Sequence, residues 1–186
     1  MISGGTAGKV YEIDPGKIVL GQLPASQFPR GVHRLVRGGE WDREVIPIEE
    51  HSVYRSMVAH FENGVPWEDT PHFREAVEAI RTGESFRGAQ SIQAILPFFE
   101  EWDRLYQDIQ SNGFMSMKEL QRRRLIDNPC KRLDEITVNL SRDGNPLLND
   151  GWHRFCIARI LGISPLPVRI LARHQCYPQW TPSSSP

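Results

Sequence analysis

The segment Asn149-Asp150-Gly151-Trp152-His153-Arg154 sets an acid, a glycine and a basic pair side by side. Placed at the start of a helix, these residues can offer a carboxylate, backbone N–H groups and a guanidinium to one anion, with phosphate the best match. Arg154 suits phosphate because its planar fork binds two oxygens at once. Asp150 has two readings: a helix cap, or a hard oxygen ligand for Mg²⁺ beside a transferred phosphoryl group. His153 is either a hydrogen-bonded structural histidine or a phosphate donor and proton shuttle. Arg173 and His174 can close the same pocket or lie on the surface. A zinc site from His153, His174 and Cys176 lacks the regular ligand spacing of such sites.

Local elements must deliver these groups. Ile136, Val138 and Leu140 alternate with Thr137 and Asn139, the pattern of a half-buried strand. Asp143-Gly144 reads as a turn and Asn145 to Leu148 as the return strand of a hairpin, carrying Asp150 to its end. Phe155, Ala158, Ile160 and Leu161 predict a buried helix stripe that closes at Gly162. Leu166, Val168 and Ile170 alternate again. The order is strand, turn, strand, helix, strand, with the helix opening at Asp150-Gly151.

These pieces resemble the ParB/sulfiredoxin superfamily, in which a glycine-to-arginine motif begins a helix after a strand and contacts nucleotide phosphates. The resemblance runs from about Leu105 to His174. It is carried in order by Ile109-Gln110-Ser111-Asn112-Gly113, Asp143-Gly144, Asp150-Gly151-Trp152-His153-Arg154, Ala158 to Ile163, and Leu166-Pro167-Val168. Trp152 stands where sulfiredoxin has its reactive cysteine, so sulfinic-acid reduction is not implied. Gly-Trp-His-Arg replaces the Gly-Glu-Arg-Arg usual in ParB proteins, and no helix-turn-helix follows. The Asp-Gly-x-x-Arg form is closest to the free-serine kinase branch, whose aspartate lies near the transferred phosphoryl group. The resemblance implies phosphoryl transfer with a nucleoside di- or triphosphate (ATP, ADP or CTP) and Mg²⁺. Asp150, His153 and Glu119 would be catalytic and Asp150 would also hold the metal. Gly151, Trp152, Arg154, Arg173, His174 and Arg37 would hold the cofactor.

The expected fold is α+β: a small mixed sheet with packed helices of ParB/sulfiredoxin type over residues 90–175, a mostly helical N-terminal extension over 1–89, and a tail over 176–186. In the N-terminal half, Val10 to Ile13 and Ile18 to Leu20 flank Pro15-Gly16 as a possible hairpin. Val53, Tyr54, Met57, Val58 and Phe61 have helical spacing, stopped by Gly64. Thr70-Pro71 opens a second helix ending at Gly83. A longer one spans Gln90 to Ser111, with Pro97 kinking it or marking its start. Ser116 and Glu119 form a capping box. The terminal Thr181 to Pro186 has little to bury and is expected to be disordered.

Composition narrows the function classes. The 186 residues, 39% hydrophobic and 24% charged, can bury an ordinary core. A net charge of −1 argues against general coating of nucleic acid. Contact with nucleic acid through Arg30, His33, Arg34 and Arg37, or through Arg122-Arg123-Arg124, stays open beside the reading of solvated faces. Arg34 and Arg37 precede Gly38-Gly39, where backbone can approach a ligand closely. No apolar run reaches the roughly 18 residues of a membrane span, so a cytoplasmic protein without a membrane partner is expected. Cys130, Cys156 and Cys176 form no Cys-x-x-Cys pair and read as free thiols. Trp41, Trp67 and Trp102 beside acids are core aromatics or a stacking pocket, and Trp41 stands out because glycines and charges flank it.

Two function classes follow. One is a nucleotide-dependent phosphotransferase acting on a small hydroxylated substrate, with Glu119, Glu101 or Asp103 as its base. The other is a nucleotide-gated module that binds DNA or a partner without turnover; a plain adaptor is the residual reading.

Overall fold

The computed structural model describes residues 10–29, 35–122 and 135–177. Arg30, His33, Arg34, Arg123, Arg124, Cys130 and the tail from Thr181 lie outside the described residues. In chain order the elements are β1 (Val10–Ile13), β2 (Leu20–Gln22), β3 (Leu35–Arg37), β4 (Val45–Pro47), α1 (Ser52–Phe61), α2 (Pro71–Arg81), α3 (Ile92–Asn112), α4 (Met117–Arg122), β5 (Ile136–Leu140), β6 (Pro146–Asp150), α5 (Trp152–Ile160) and β7 (Leu166–His174). The architecture is mixed α+β.

Two compact units interleave along the chain. One comprises Met1–Ile48, Ser116–Gly151 and Ser164–Pro186; the other comprises Glu49–Met115 and Trp152–Ile163. The first is the sheet unit. Its strand order is β1-β7-β5-β6-β2-β4, with β3 also pairing β7. β7 is the spine: β5 runs parallel along one edge, while β1 covers the start of the other edge antiparallel and β3 its end in parallel. Along β7, Leu166, Val168, Leu171 and Ala172 are buried, together with the polar Arg169 and His174.

Three expectations change here. The N-terminal 1–89 segment holds the expected α1 and α2, but its earlier part is not helical: β1 to β4 all enter the sheet. Strands of three residues have too few positions to display a period, so β3 and β4 leave no signal in the sequence. The Pro15-Gly16 turn does not make a hairpin: β1 pairs with β7, and β2 pairs with β4 and β6. Asp14 accepts the Gly16 N–H at 2.9 Å and shapes the turn instead. Finally, β5 is buried on both faces rather than one.

That second face of β5 explains itself through hydrogen bonds. Asn139 donates to the Gln22 side chain and to Asn149 Oδ1, the latter at 2.9 Å, and accepts the Ala172 N–H at 2.9 Å. Asn149 accepts the Phe28 N–H at 2.7 Å, donates to the Phe28 carbonyl at 3.1 Å and reaches Thr137 Oγ1 at 3.2 Å. Buried amides are tolerable only when so satisfied. The predicted β5–β6 hairpin is present, with Gly144 at φ +80° in its turn.

The second unit is helical: α1 packs on α2 and α5, and α3 on α5 and α2. Helix starts and stops fall where the sequence signals them. Gly64, Gly83 and Gly113 take positive φ just past α1, α2 and α3. Ser91 caps α3, and Pro97 lies inside that helix rather than at its start. Around Trp67, Phe99 and Trp102 the unit is a cluster of rings in edge and stacked contact. In α5 the buried set is Trp152, Phe155, Cys156, Ile157 and Ala158. Ile160 and Leu161, expected in the stripe, are only half-buried. No described helix is long and apolar enough to cross a membrane.

Candidate functional site

Strand β6 brings Asp150 to the edge of the sheet unit, where it pairs with Thr137. Gly151 follows at φ +87°, a conformation that costs a side chain about 1–3 kcal/mol. A Cβ there would also lie 2.9 Å from the Ile136 Cα, which is backbone and cannot swing aside. The glycine is therefore required twice over, by conformation and by space. Its N–H donates to the Asp150 carboxylate at 2.6 Å. Asp150 thus already does locally what a bound anion would do: it satisfies a backbone donor next to a helix start.

Trp152, His153 and Arg154 form the first turn of α5 and belong to the helical unit. Trp152 is buried, with the His51 ring stacked on it at 3.8 Å. His153 stacks on Trp102 at 4.3 Å. The Arg154 guanidinium lies over the Phe114 ring at 4.5 Å and donates to the Met115 carbonyl. Each of the three therefore has a packing role inside the helical unit, and Arg154 ties α5 to the segment that follows α3. Burial lowers the pKa of His51 and of His72, whose ring stacks on Trp102.

Arg37, Arg173 and His174 stand together, but elsewhere. β3 and β7 place Arg37 opposite His174 and Val36 opposite Arg173. On β5, Leu140 faces Arg173 whereas Thr137 faces Asp150. Roughly 10 Å of strand separates these two rungs. Arg173 and His174 accordingly do not close a pocket around Asp150; the expected cofactor set divides between opposite ends of the sheet. Arg173 donates to the Tyr177 carbonyl at 2.7 Å. His174 is 2% exposed, donates from Nε2 to the Gly39 carbonyl at 3.0 Å and accepts the Cys176 N–H at Nδ1.

At the Arg37 end the loop from Arg37 to Asp42 is braced from several sides. Arg142 donates to both Asp42 oxygens, at 2.7 and 2.9 Å, and to the Gly39 carbonyl at 3.1 Å. Those hydrogen bonds hold the Asp42 carboxyl down at about 2. Trp41 Nε1 donates to the Arg37 carbonyl at 3.3 Å, and its ring meets Phe28 edge-on at 5.1 Å. Beside this loop lies a cleft of about 280 Å³ whose lining includes Phe28, Arg37, Gly39 and Trp41.

Two of the three candidate bases are engaged, while Glu101 is exposed on α3. Glu119 holds Arg122 through two hydrogen bonds, at 2.8 and 2.9 Å, and its N–H donates to the Ser116 hydroxyl, one half of the expected capping box. Asp103 accepts from Trp67 Nε1 at 3.0 Å and contacts His60 Nε2 at 3.0 Å. Among the described residues no group of three His, Cys, Asp or Glu could hold a metal ion. Cys156 is buried and its thiol pushed up by that burial; Cys176 is exposed.

Sequence reasoning missed Gln22, Phe28, Asp42 and Arg142 as builders of this region. Their partners lie about a hundred residues away in the chain, and no local pattern encodes such a pairing. No family model matches the chain, and no curated protein and no solved structure matches it either.

Proposed function

We propose that this chain binds a nucleoside di- or triphosphate (ATP, ADP or CTP) in the manner of the ParB/sulfiredoxin type. Its reaction would be magnesium-dependent phosphotransfer to a small hydroxylated substrate. The observation that carries the reading is Gly151, a residue at a strand-to-helix passage where neither the backbone angle nor the space admits a side chain. Such passages present backbone N–H groups to phosphate. Mg²⁺ takes one or two carboxylates and completes its shell with phosphate and water, so Asp150 alone fits as its protein ligand. The ion would supply neutralisation of phosphate charge.

The Asp150–Gly151 hydrogen bond gives this reading a distinctive consequence. Carboxylate and phosphate compete for one N–H, so nucleotide binding without Mg²⁺ is opposed by Asp150. With Mg²⁺ the carboxylate has another partner and the N–H is released. A thermal-shift screen of ATP, ADP and CTP, with and without Mg²⁺, tests this on the wild type and Asp150→Asn. Wild type is expected to be stabilised mainly with Mg²⁺, by about 2.7 kcal/mol at a hundredfold excess over the dissociation constant. Asp150→Asn is expected to bind with little Mg²⁺ dependence and to lose turnover. Equal Mg²⁺ dependence in both proteins would remove Asp150 from the site.

A second reading, a nucleotide-gated module without turnover, is favoured by the engagement of Glu119 with Arg122 and of Asp103 with Trp67. It predicts nucleotide binding with no product released in the presence of any hydroxylated acceptor.

A further inference from the structure

The cleft beside the Arg37–Asp42 loop lies in the sheet unit alone and carries an inference that does not rest on the nucleotide reading. Its walls include Phe28, Arg37, Trp41 and Glu44. At about 280 Å³ it falls just under the 300–1,000 Å³ usual for drug-sized ligands, which sets a small occupant. Charge is arranged unevenly around it. Arg43 and Arg142 both pair with Glu40, and Arg142 with Asp42. Arg37 is exposed and makes no ion pair among the described residues; its guanidinium lies 5.6 Å from the centre of the Phe28 ring. Glu44 also lines the cleft, and its carboxylate pairs with no described cation.

The loop that presents Arg37 is fixed in advance. The Arg37 carbonyl accepts from Trp41 Nε1 and from the Gln175 N–H, while Gly39 is held by His174 and Arg142. A cation on a braced loop can meet a ligand without first ordering the chain, and that saving goes into affinity. The guanidinium fork matches a planar carboxylate. Phe28 and Trp41 are almost wholly buried, so the open wall of the cleft is mainly polar. Glu44 penalises a second negative charge, so a dianion such as phosphate is disfavoured relative to a monoanion.

We propose that this cleft binds a small organic monocarboxylate, gripped by Arg37 and screened against dianions by Glu44. The test uses benzoate as the probe and inorganic phosphate as its competitor, followed by the Trp41 indole N–H and Gly39 amide signals in nitrogen-resolved spectra of the full chain. Trp41→Phe assigns the indole signal. Benzoate is expected to shift both signals saturably, and phosphate to bind at least about tenfold more weakly. Arg37→Gln is expected to abolish the benzoate response while leaving the indole signal at its folded position. Arg37→Lys should keep a weaker one, because the fork is lost and the charge is not. Glu44→Gln should narrow the gap between benzoate and phosphate. The proposal is overturned if benzoate moves neither signal, if Arg37→Gln responds like wild type, or if phosphate binds wild type as tightly as benzoate does.

Discussion

The sheet unit and the helical unit are held together by different chemistry. In the sheet unit the decisive bonds are polar and join distant parts of the chain: Asn149 with Phe28, Asn139 with Gln22, Arg142 with Asp42. In the helical unit the glue is rings, with Trp67, Phe99 and Trp102 at the centre and histidines 60, 72 and 153 stacked around them. Polar networks are directional, so they set strand order and the position of a loop; ring packing is forgiving of angle and mainly excludes water. The sheet unit is accordingly where a preset binding geometry is expected. The motif that looked most like chemistry is shared out between the two: Asp150 and Gly151 end the sheet unit, and Trp152 to Arg154 open a helix of the other.

The largest effect should come from the hub of the polar network. Asn149→Ala strands Asn139, Thr137 and both backbone groups of Phe28, and unsatisfied buried groups cost about 1–3 kcal/mol each. A loss of about 4 kcal/mol in urea unfolding is expected, with amide exchange accelerating first in β5 and β6. A loss under about 1 kcal/mol would mean the network orients the strands without stabilising them.

Next comes the helical unit. Ile157→Ala should cost about 3 kcal/mol, as deletion of buried aliphatic groups does, since Ile157 is fully buried. Ile160→Ala, at a half-buried position, should cost about 1 kcal/mol. The reverse ranking would contradict the orientation of α5. Exchange should speed up in α1 and α3, the helices on which α5 packs.

Acid should separate the units by pH window, with the smallest effect. Asp42 is held at about 2 against an ordinary 3.8. Its contribution, on the order of 1–2 kcal/mol after allowance for solvent, is complete above pH 4 and lost as pH falls toward 2. His51 and His72 titrate below the ordinary 6.5 because burial disfavours their charged forms. The unfolded chain takes up those protons first, so the helical unit should weaken as pH falls below 6.5. Amide exchange followed from pH 7 to pH 3 should therefore show α1 and α2 loosening before the Asp42 loop. Simultaneous loosening would remove the distinction.

Sequence read well where signals are local. The strand 136–140, the Asp143-Gly144 turn, the α1 and α2 boundaries and the Ser116–Glu119 cap all depend on neighbours within a few residues, and all are present. The short strands β3 and β4 show no period and leave no signal, while β1 and the start of β2 read as strand but with a hairpin pairing that the sheet does not use. Ile160 and Leu161 were placed in the stripe that Cys156 and Ile157 fill, because a run of apolar residues in a short helix fits more than one register. At the site, the requirement for glycine at 151 was legible, but the separation of Arg37, Arg173 and His174 from Asp150 follows from strand register, which residue types do not encode.

The most direct test of the central claim follows the backbone amide signals of residues 151–154 during titration with ATP, ADP and CTP in the presence of Mg²⁺. The account predicts that one of these nucleotides moves Gly151 most, with Trp152 and His153 next. Signals around Gly39 and Trp41 should stay in place. Silence at residues 151–154 with all three nucleotides, or a response confined to the Arg37 end of the sheet, would contradict it.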